Sequence, residues 1–85
     1  MPSSIFAERY IAVVEVLLAA RQEAGVTQAQ LATRMSRPQS FVSKVERRER
    51  RVDPVEFHDW AIALALDPVQ LFQRLAGRLE RDERS

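Results

Sequence analysis

Residues 27–46 read TQAQLATRMSRPQSFVSKVE, and this stretch predicts two short helices separated by a tight turn. Thr27 followed by Gln30 is a capping-box pattern, which marks the start of the first helix. The apolar residues of that helix recur at helical spacing and predict its inner face: Leu31, Ala32 and Met35. Residues 36–38 predict the turn, and Pro38 suits the first position of the second helix because no N–H is needed there.

The second helix has an apolar side and a polar side. Val42 and Val45 predict its inner face. The polar residues that then point outward are Gln39, Ser40, Ser43 and Lys44. The arginines that follow are Arg47, Arg48, Arg50 and Arg51. A short helix with polar side chains near its N-terminus fits a DNA major groove, and neighbouring cations can then bind phosphates.

Charge is unevenly distributed along the chain, although the net charge is only +1. Residues 27–51 contain seven basic and two acidic side chains, whereas the remainder contains six basic and ten acidic ones. A basic segment in an otherwise acidic protein is typical of a polyanion-binding surface. A basic loop that is merely solvated is the alternative reading.

Three further helices are predicted around this pair, which makes the chain all-α. Ser4 to Ala24 forms the first, and Gly25 ends it. Asp-Pro pairs at 53–54 and 67–68 predict the starts of the fourth and fifth helices. The predicted inner faces of the first and fourth helices are Ile11, Val14, Leu17 and Leu18, and Phe57, Trp60, Ala61 and Leu64. Residues 80–85 form a charged tail that we expect to fray.

Composition argues against several functional classes. The 85 residues suffice for one small domain. Cysteine is absent, the single histidine, His58, is best read as a packing residue, and no glycine-rich phosphate loop is present. We therefore expect no enzyme activity, cofactor, metal or small-molecule ligand. No signal peptide is visible, and the apolar run from Ala12 to Ala20 is short and contains Glu15, so we expect a cytoplasmic protein with no membrane partner, associated with the nucleoid when bound to DNA.

The combined pattern resembles the Cro/CI-type, or XRE, family of helix-turn-helix transcriptional regulators. The resemblance covers about Leu17 to Leu75 and is carried by Gly25-Val26-Thr27-Gln28, Leu31-Ala32, residues 39–46, Glu49-Arg50-Arg51, residues 57–64 and Asp67-Pro68-Val69. It implies a compact five-helix bundle, a lambda-repressor-like DNA-binding domain. The expected single domain, 1–85, divides into an extension of the first helix at 1–16, the family core at 17–79 and the tail at 80–85.

The resemblance also implies roles for individual residues. Base edges would be read by Gln39, Ser40, Ser43 and Lys44. DNA phosphates would be bound by Thr27, Gln28, Arg37, Arg47, Arg48, Arg50 and Arg51. Gln28 would also brace Gln39, and Arg21 and Glu46 would form a structural ion pair.

Several positions depart from the family pattern. Ser36 stands where many members have a glycine with left-handed backbone, which predicts a mildly strained or altered turn. Arg48 and Ala65 replace two further glycines, and the latter predicts a different end to the fourth helix. Phe41 is bulky where many members have serine or threonine. It would pack against sugar–phosphate, touch a thymine methyl, or cover the loop after the third helix.

The first helix is longer than the family core requires. Its additional apolar residues either pack on the fifth helix or form an interface. The expected interface of a homodimer comprises Ile5, Phe6, Tyr10, Val13, Leu71, Phe72, Leu75 and Leu79. The resulting expectation is a homodimeric repressor of transcription that binds double-stranded DNA and acts by promoter occupancy. The alternative is a helical interaction module, such as an antitoxin-like or accessory subunit, that binds a partner protein through the first helix.

Overall fold

A computed structural model describes the backbone of residues 2–84 and the side chains of residues 8–83. The chain forms five helices: α1 (Pro2–Glu23), α2 (Gln28–Arg34), α3 (Gln39–Glu46), α4 (Pro54–Ala63) and α5 (Pro68–Arg84). The predicted all-α five-helix architecture is confirmed. Within residues 2–84, no helix has the length and apolar character needed to cross a bilayer.

Two helices begin with a complete capping box. Thr27 Oγ1 accepts a hydrogen bond from the Gln30 N–H at 3.1 Å, and Gln30 Oε1 accepts one from the Thr27 N–H at 2.9 Å. Asp53 and Glu56 form the same reciprocal pair at the start of α4. Pro38 differs from the prediction, because its ψ of 152° is extended and places it at the N-cap of α3. Helix α3 therefore begins one residue later, at Gln39.

The first four helices all end through a residue with left-handed backbone. These residues are Gly25, Ser36, Arg48 and Ala65, with φ between 57° and 70°. At the end of α4 the Leu66 N–H bonds to the Ala61 carbonyl and the Ala65 N–H to the Ile62 carbonyl, both at 2.9 Å. This is the Schellman pattern that glycine usually closes. The expectation of a different end to the fourth helix is therefore wrong, and Ala65 instead adopts the conformation that a glycine would take.

The core is built around Trp60, which is fully buried and donates its indole N–H to the Leu17 carbonyl at 3.2 Å. Other fully buried side chains come from α1, α2, α3 and α5: Val14, Leu17, Leu31, Val42, Val45 and Leu71. Val14 and the equally buried Ala12 precede residue 17. The part of α1 described as an extension therefore already contributes to the core.

Helix α5 continues through most of the charged tail. It ends at Arg84, so residues 80–84 are helical and the expectation that they fray is wrong. Ion pairs accompany this part of the helix: Arg78 with Asp82 at 3.3 Å and Arg9 with Glu83 at 3.8 Å. Arg78 also pairs with Glu15 of α1, and Arg74 pairs with Glu23 at 3.0 Å. The pairs made by Arg9, Glu15 and Glu23 of α1 join α5 to α1 along most of its length.

Candidate DNA-binding interface

Helix α3 carries the four predicted base-reading residues on the side away from the core. Gln39, Ser40 and Lys44 are exposed, and Ser43 is half-buried. The Ser43 hydroxyl accepts a hydrogen bond from Arg47 Nη1 at 2.8 Å. The opposite side of α3 is fully enclosed by the core through Phe41, Val42 and Val45. The polar side is therefore free to meet an external surface.

The last residue of α3 is anchored to both preceding helices. The Glu46 carboxylate accepts hydrogen bonds from Arg21 Nε at 2.6 Å and from Arg21 Nη2 at 3.0 Å. This is the ion pair that the resemblance implies. Gln28 donates its side-chain amide to Glu46 Oε1 at 2.8 Å. The expected brace from Gln28 to Gln39 is thus replaced by a bond to Glu46, because the start of α2 lies against the end of α3.

Glu56 connects the two segments that flank α3. Its carboxylate accepts Arg37 Nη2 and Arg50 Nη1, each at 2.9 Å, and the Asp53 N–H at 3.0 Å. The side chain is only 9% exposed. The hydrogen bond from Arg50 is the main reason that the pKa of Glu56 falls to about 2; Asp53 and Arg37 lower it further, whereas burial acts in the opposite direction.

Phe41 lies beneath these two arginines. It is buried, and its ring centroid lies 6.4 Å from that of Trp60. The guanidinium carbons of Arg37 and Arg50 lie 4.4 Å and 4.8 Å from the Phe41 centroid. Three roles were considered for Phe41: packing against sugar–phosphate, contact with a thymine methyl, and covering the loop after α3. The structure agrees with the last of these, since the ring is part of the core and lies under Arg50 of that loop.

The other predicted phosphate-binding residues also have partners within the chain. Arg47 pairs with Glu49 at 3.0 Å, and this hydrogen bond is the main cause of the lowered pKa of Glu49. Arg48 lies 4.0 Å from Glu15, and Arg51 lies over the Tyr10 ring at 4.3 Å. Thr27 is exposed and uses its hydroxyl to cap α2. The arginines nevertheless remain exposed, so the flanks of α3 present a cationic surface.

Comparison with known proteins agrees with this geometry. Residues 13–75 match the family model described as a helix-turn-helix domain. A solved XRE-family like protein from Pseudomonas syringae pv. tomato str. DC3000 is 45% identical, with a TM-score of 0.82 over 91% of this chain and 94% of that chain. The chain belongs to the XRE-type helix-turn-helix family. No curated protein is significantly similar in sequence. Helix-turn-helix domains place their second helix in the major groove, and this XRE-type protein is accordingly a DNA-binding regulator.

Sequence reasoning missed the role of Glu56 in this helix-turn-helix site. The motif Asp-Pro-Val-Glu at 53–56 identified it only as a capping residue. Its partner Arg37 lies 19 positions away along the chain, beyond the reach of any helical or turn periodicity. The one sequence signal for this role was the position of the capping glutamate, which closely follows a segment rich in arginine.

An apolar groove opens beside Arg51 in this XRE-type protein. It has a volume of about 610 Å³ and lies between α1, the segment before α4, α4 itself and α5. Side chains that line it include Tyr10, Val13, Val52, Phe57, Phe72 and Leu75. Phe72 is 55% exposed at its rim and packs edge-on against Phe57, with ring centroids 6.2 Å apart.

The predicted dimer residues differ in how far they are exposed to solvent. Leu71 and Leu75 are 1% and 5% exposed, because this side of α5 faces the core. The expectation that they supply an exposed interface is therefore wrong. Tyr10, Val13 and Leu79 are half-buried, and Phe72 is exposed. Ile5 and Phe6 lie outside the side chains that the structure describes.

Proposed function

We propose that this protein is a sequence-specific regulator that represses transcription by occupying promoter DNA as a homodimer. The observation that carries the proposal is the exposed polar side of α3, which is anchored at Glu46 and flanked by arginines. Gln39 would pair with adenine and Lys44 would donate to guanine, while Ser40 and Ser43 would contact neighbouring base edges. These residues belong to a helix whose other side is locked into the core, so their positions are fixed before DNA arrives.

Phosphate contacts are assigned to the residues around the reading helix. They are Thr27, Gln28, Arg37, Arg47, Arg48, Arg50 and Arg51. The side-chain amide of Gln28 is bonded to Glu46, so its proposed phosphate contact uses the backbone N–H. This N–H lies in the first turn of α2 and therefore has no partner within that helix. Such contacts set the register of the protein on the duplex without reading sequence.

The homodimer follows from the size of the reading surface. One helix of eight residues contacts only a few base pairs, which is too little to select a site among the many competitors in a genome. A two-fold dimer doubles the contacts and spaces the two reading helices by about 34 Å. The exposed rim of the apolar groove, with Phe72 and Val69, supplies the contact surface. The same groove favours a second candidate function, a module that binds a partner protein.

Selection of bound sequences from a random duplex DNA pool tests the proposal. We expect enrichment of a two-fold symmetric site and a gel shift that weakens steeply as salt increases. No shift with either selected or sheared genomic DNA at low salt would reject DNA regulation and leave the protein-binding module. A shift without any enriched sequence would reject sequence-specific reading.

A further inference from the structure

We propose that Glu56 is a positioning residue for DNA binding, which holds Arg37 and Arg50 against Phe41 as a preformed cradle for a backbone phosphate. This inference rests on the proposed DNA binding and assigns a role that the helix-turn-helix pattern does not contain. The two arginines precede and follow α3, so a phosphate bound between them would fix the reading helix from both of its ends.

The geometry brings both cations to one acceptor. Each guanidinium donates to a different oxygen of Glu56, Arg37 to Oε2 and Arg50 to Oε1, at 2.9 Å. Arg50 donates in addition to the Arg51 carbonyl at 2.9 Å. A guanidinium has five N–H donors, so these bonds leave several donors on each arginine for another acceptor. Arg37 and Arg50 are 39% and 41% exposed, whereas Glu56 beneath them is buried.

Phe41 completes the support from the protein side. Both guanidinium groups lie within 5 Å of its ring centroid, at 4.4 Å and 4.8 Å. Arginine stacks well on aromatic rings, and a stacked, hydrogen-bonded side chain has already lost much of its rotamer freedom. Binding a phosphate would therefore cost less conformational entropy here than at a freely moving surface arginine.

The charges of the cluster favour an anion. Two guanidinium groups share one carboxylate, so the cluster retains one positive charge. The low pKa of Glu56, about 2, means that the carboxylate stays ionised under physiological conditions. A backbone phosphate is tetrahedral, and its two non-bridging oxygens can accept paired N–H bonds from arginine side chains.

The substitution Glu56→Gln separates positioning from simple electrostatics. Removing a carboxylate beside bound DNA should strengthen binding if charge alone matters. If Glu56 positions the arginines, the same substitution should weaken binding. Glutamine preserves the helix cap, because Gln30 occupies the equivalent position of α2 and accepts from the cap N–H at 2.9 Å.

Glu49→Gln is the matched control. Glu49 also pairs with an arginine of the basic segment, Arg47, but this pair is exposed and lies on no aromatic ring in the described part of the chain. The control makes the same chemical change and the same change in net charge. We expect it to bind DNA as tightly as the wild type or more tightly, because Arg47 is released.

The experiment measures the dissociation constant for a random-sequence duplex across a salt titration, with folding monitored by circular dichroism. We expect Glu56→Gln to bind roughly five- to tenfold more weakly and to lose about 0.9 from the slope of log K against log salt. A purely structural role would leave the slope of the folded protein unchanged. Affinity equal to or above that of the wild type would overturn the inference while leaving DNA binding intact.

A second variant covers the case in which Glu56→Gln does not fold. Arg37→Lys with Arg50→Lys keeps every charge at exposed positions but removes the planar forks. We expect a similar loss of affinity, and unchanged affinity would overturn the inference. If the wild type itself fails to bind the duplex at low salt, the proposed function fails and the cradle fails with it.

Discussion

Arg21 of α1 and Glu46 at the end of α3 form an ion pair with two hydrogen bonds, although the two residues are 25 positions apart in the chain. Both side chains are largely buried, at 13% and 5% exposure. Arg21 also donates to the Val26 carbonyl at 2.8 Å, and Glu46 also accepts from Gln28. The pair therefore fixes the orientation of α3 relative to α1 and α2.

Glu46→Gln should destabilise the protein by about 3 kcal/mol, because it leaves the Arg21 guanidinium without its compensating charge in a buried position. The free energy of unfolding is measured by urea titration at neutral pH. Glu80→Gln, a change at an exposed position of α5, is the control and should alter stability by less than about 0.5 kcal/mol. Equal unfolding midpoints for Glu46→Gln and the wild type would show that the pair contributes nothing.

Stability should fall in acid through protonation of Glu56. Its pKa is lowered from 4.5 to about 2, so its contribution is complete above pH 4.5 and is lost as pH falls through 2. The shift corresponds to at most about 3 kcal/mol at neutral pH. The stability gap between the wild type and Glu56→Gln should therefore narrow steadily from pH 5 to pH 2. A gap that is constant over this range would show that Glu56 has an ordinary pKa.

Ala65→Gly should stabilise the protein by about 1 kcal/mol, since the left-handed φ of 60° is costly for alanine and not for glycine. Ala76→Gly, in the interior of α5, is the matched control and should destabilise it by about 1 kcal/mol. Thermal melts of the two variants should therefore shift in opposite directions. Destabilisation by both substitutions would mean that Ala65 is not strained.

The two glycines provide a reciprocal test. Gly77 lies inside α5, and an added Cβ would approach only Arg81 Nη1, at 3.9 Å. Gly77→Ala should therefore stabilise the protein by about 0.5–1 kcal/mol. Gly25 has a φ of +70°, so Gly25→Ala should destabilise it even though the surrounding space is open. Stabilisation by Gly25→Ala would contradict the left-handed end of α1.

Gln39→Ala and Lys44→Ala should reduce discrimination between the selected operator and scrambled DNA more than they reduce total affinity. Each would remove a proposed base contact worth about 1–3 kcal/mol. Arg50→Ala with Arg51→Ala should instead weaken binding to both DNAs alike and make the salt dependence shallower. Competition gel shifts measure the affinity of each variant for operator and for scrambled DNA. If either α3 variant discriminates between the two DNAs as well as the wild type does, that residue does not read bases.

Phe72→Gln should weaken the proposed homodimer, because Phe72 is 55% exposed at the rim of the apolar groove. Ile62→Gln is the control, since Ile62 is 54% exposed on α4 and does not line this groove. Sedimentation at tens of micromolar compares the two variants with the wild type. A wild-type monomer, even with operator DNA at one site per two chains, would rule out the homodimer.

Local signals in the sequence were sufficient to predict the helices. The capping pairs Thr27–Gln30 and Asp53–Glu56 depend on residues three positions apart, and the structure contains both. Positions with left-handed backbone were harder to predict, because Ser36, Arg48 and Ala65 lack the glycine that would mark them. The packing of the helix ends imposes that conformation in spite of its cost.

What the sequence by itself determined is the set of elements: five helices, the capping pairs that start α2 and α4, the buried side of α3 and the basic segment around it. The helices, the capping pairs and the buried side of α3 depend on residues within about four positions of one another, where helical geometry leaves little choice. Only the tertiary structure decided which side of α5 is free, burying Leu71 and leaving Phe72 exposed. It alone also brought Arg37, Arg50 and Glu56 together over Phe41, because that meeting depends on how whole helices pack and on no local spacing.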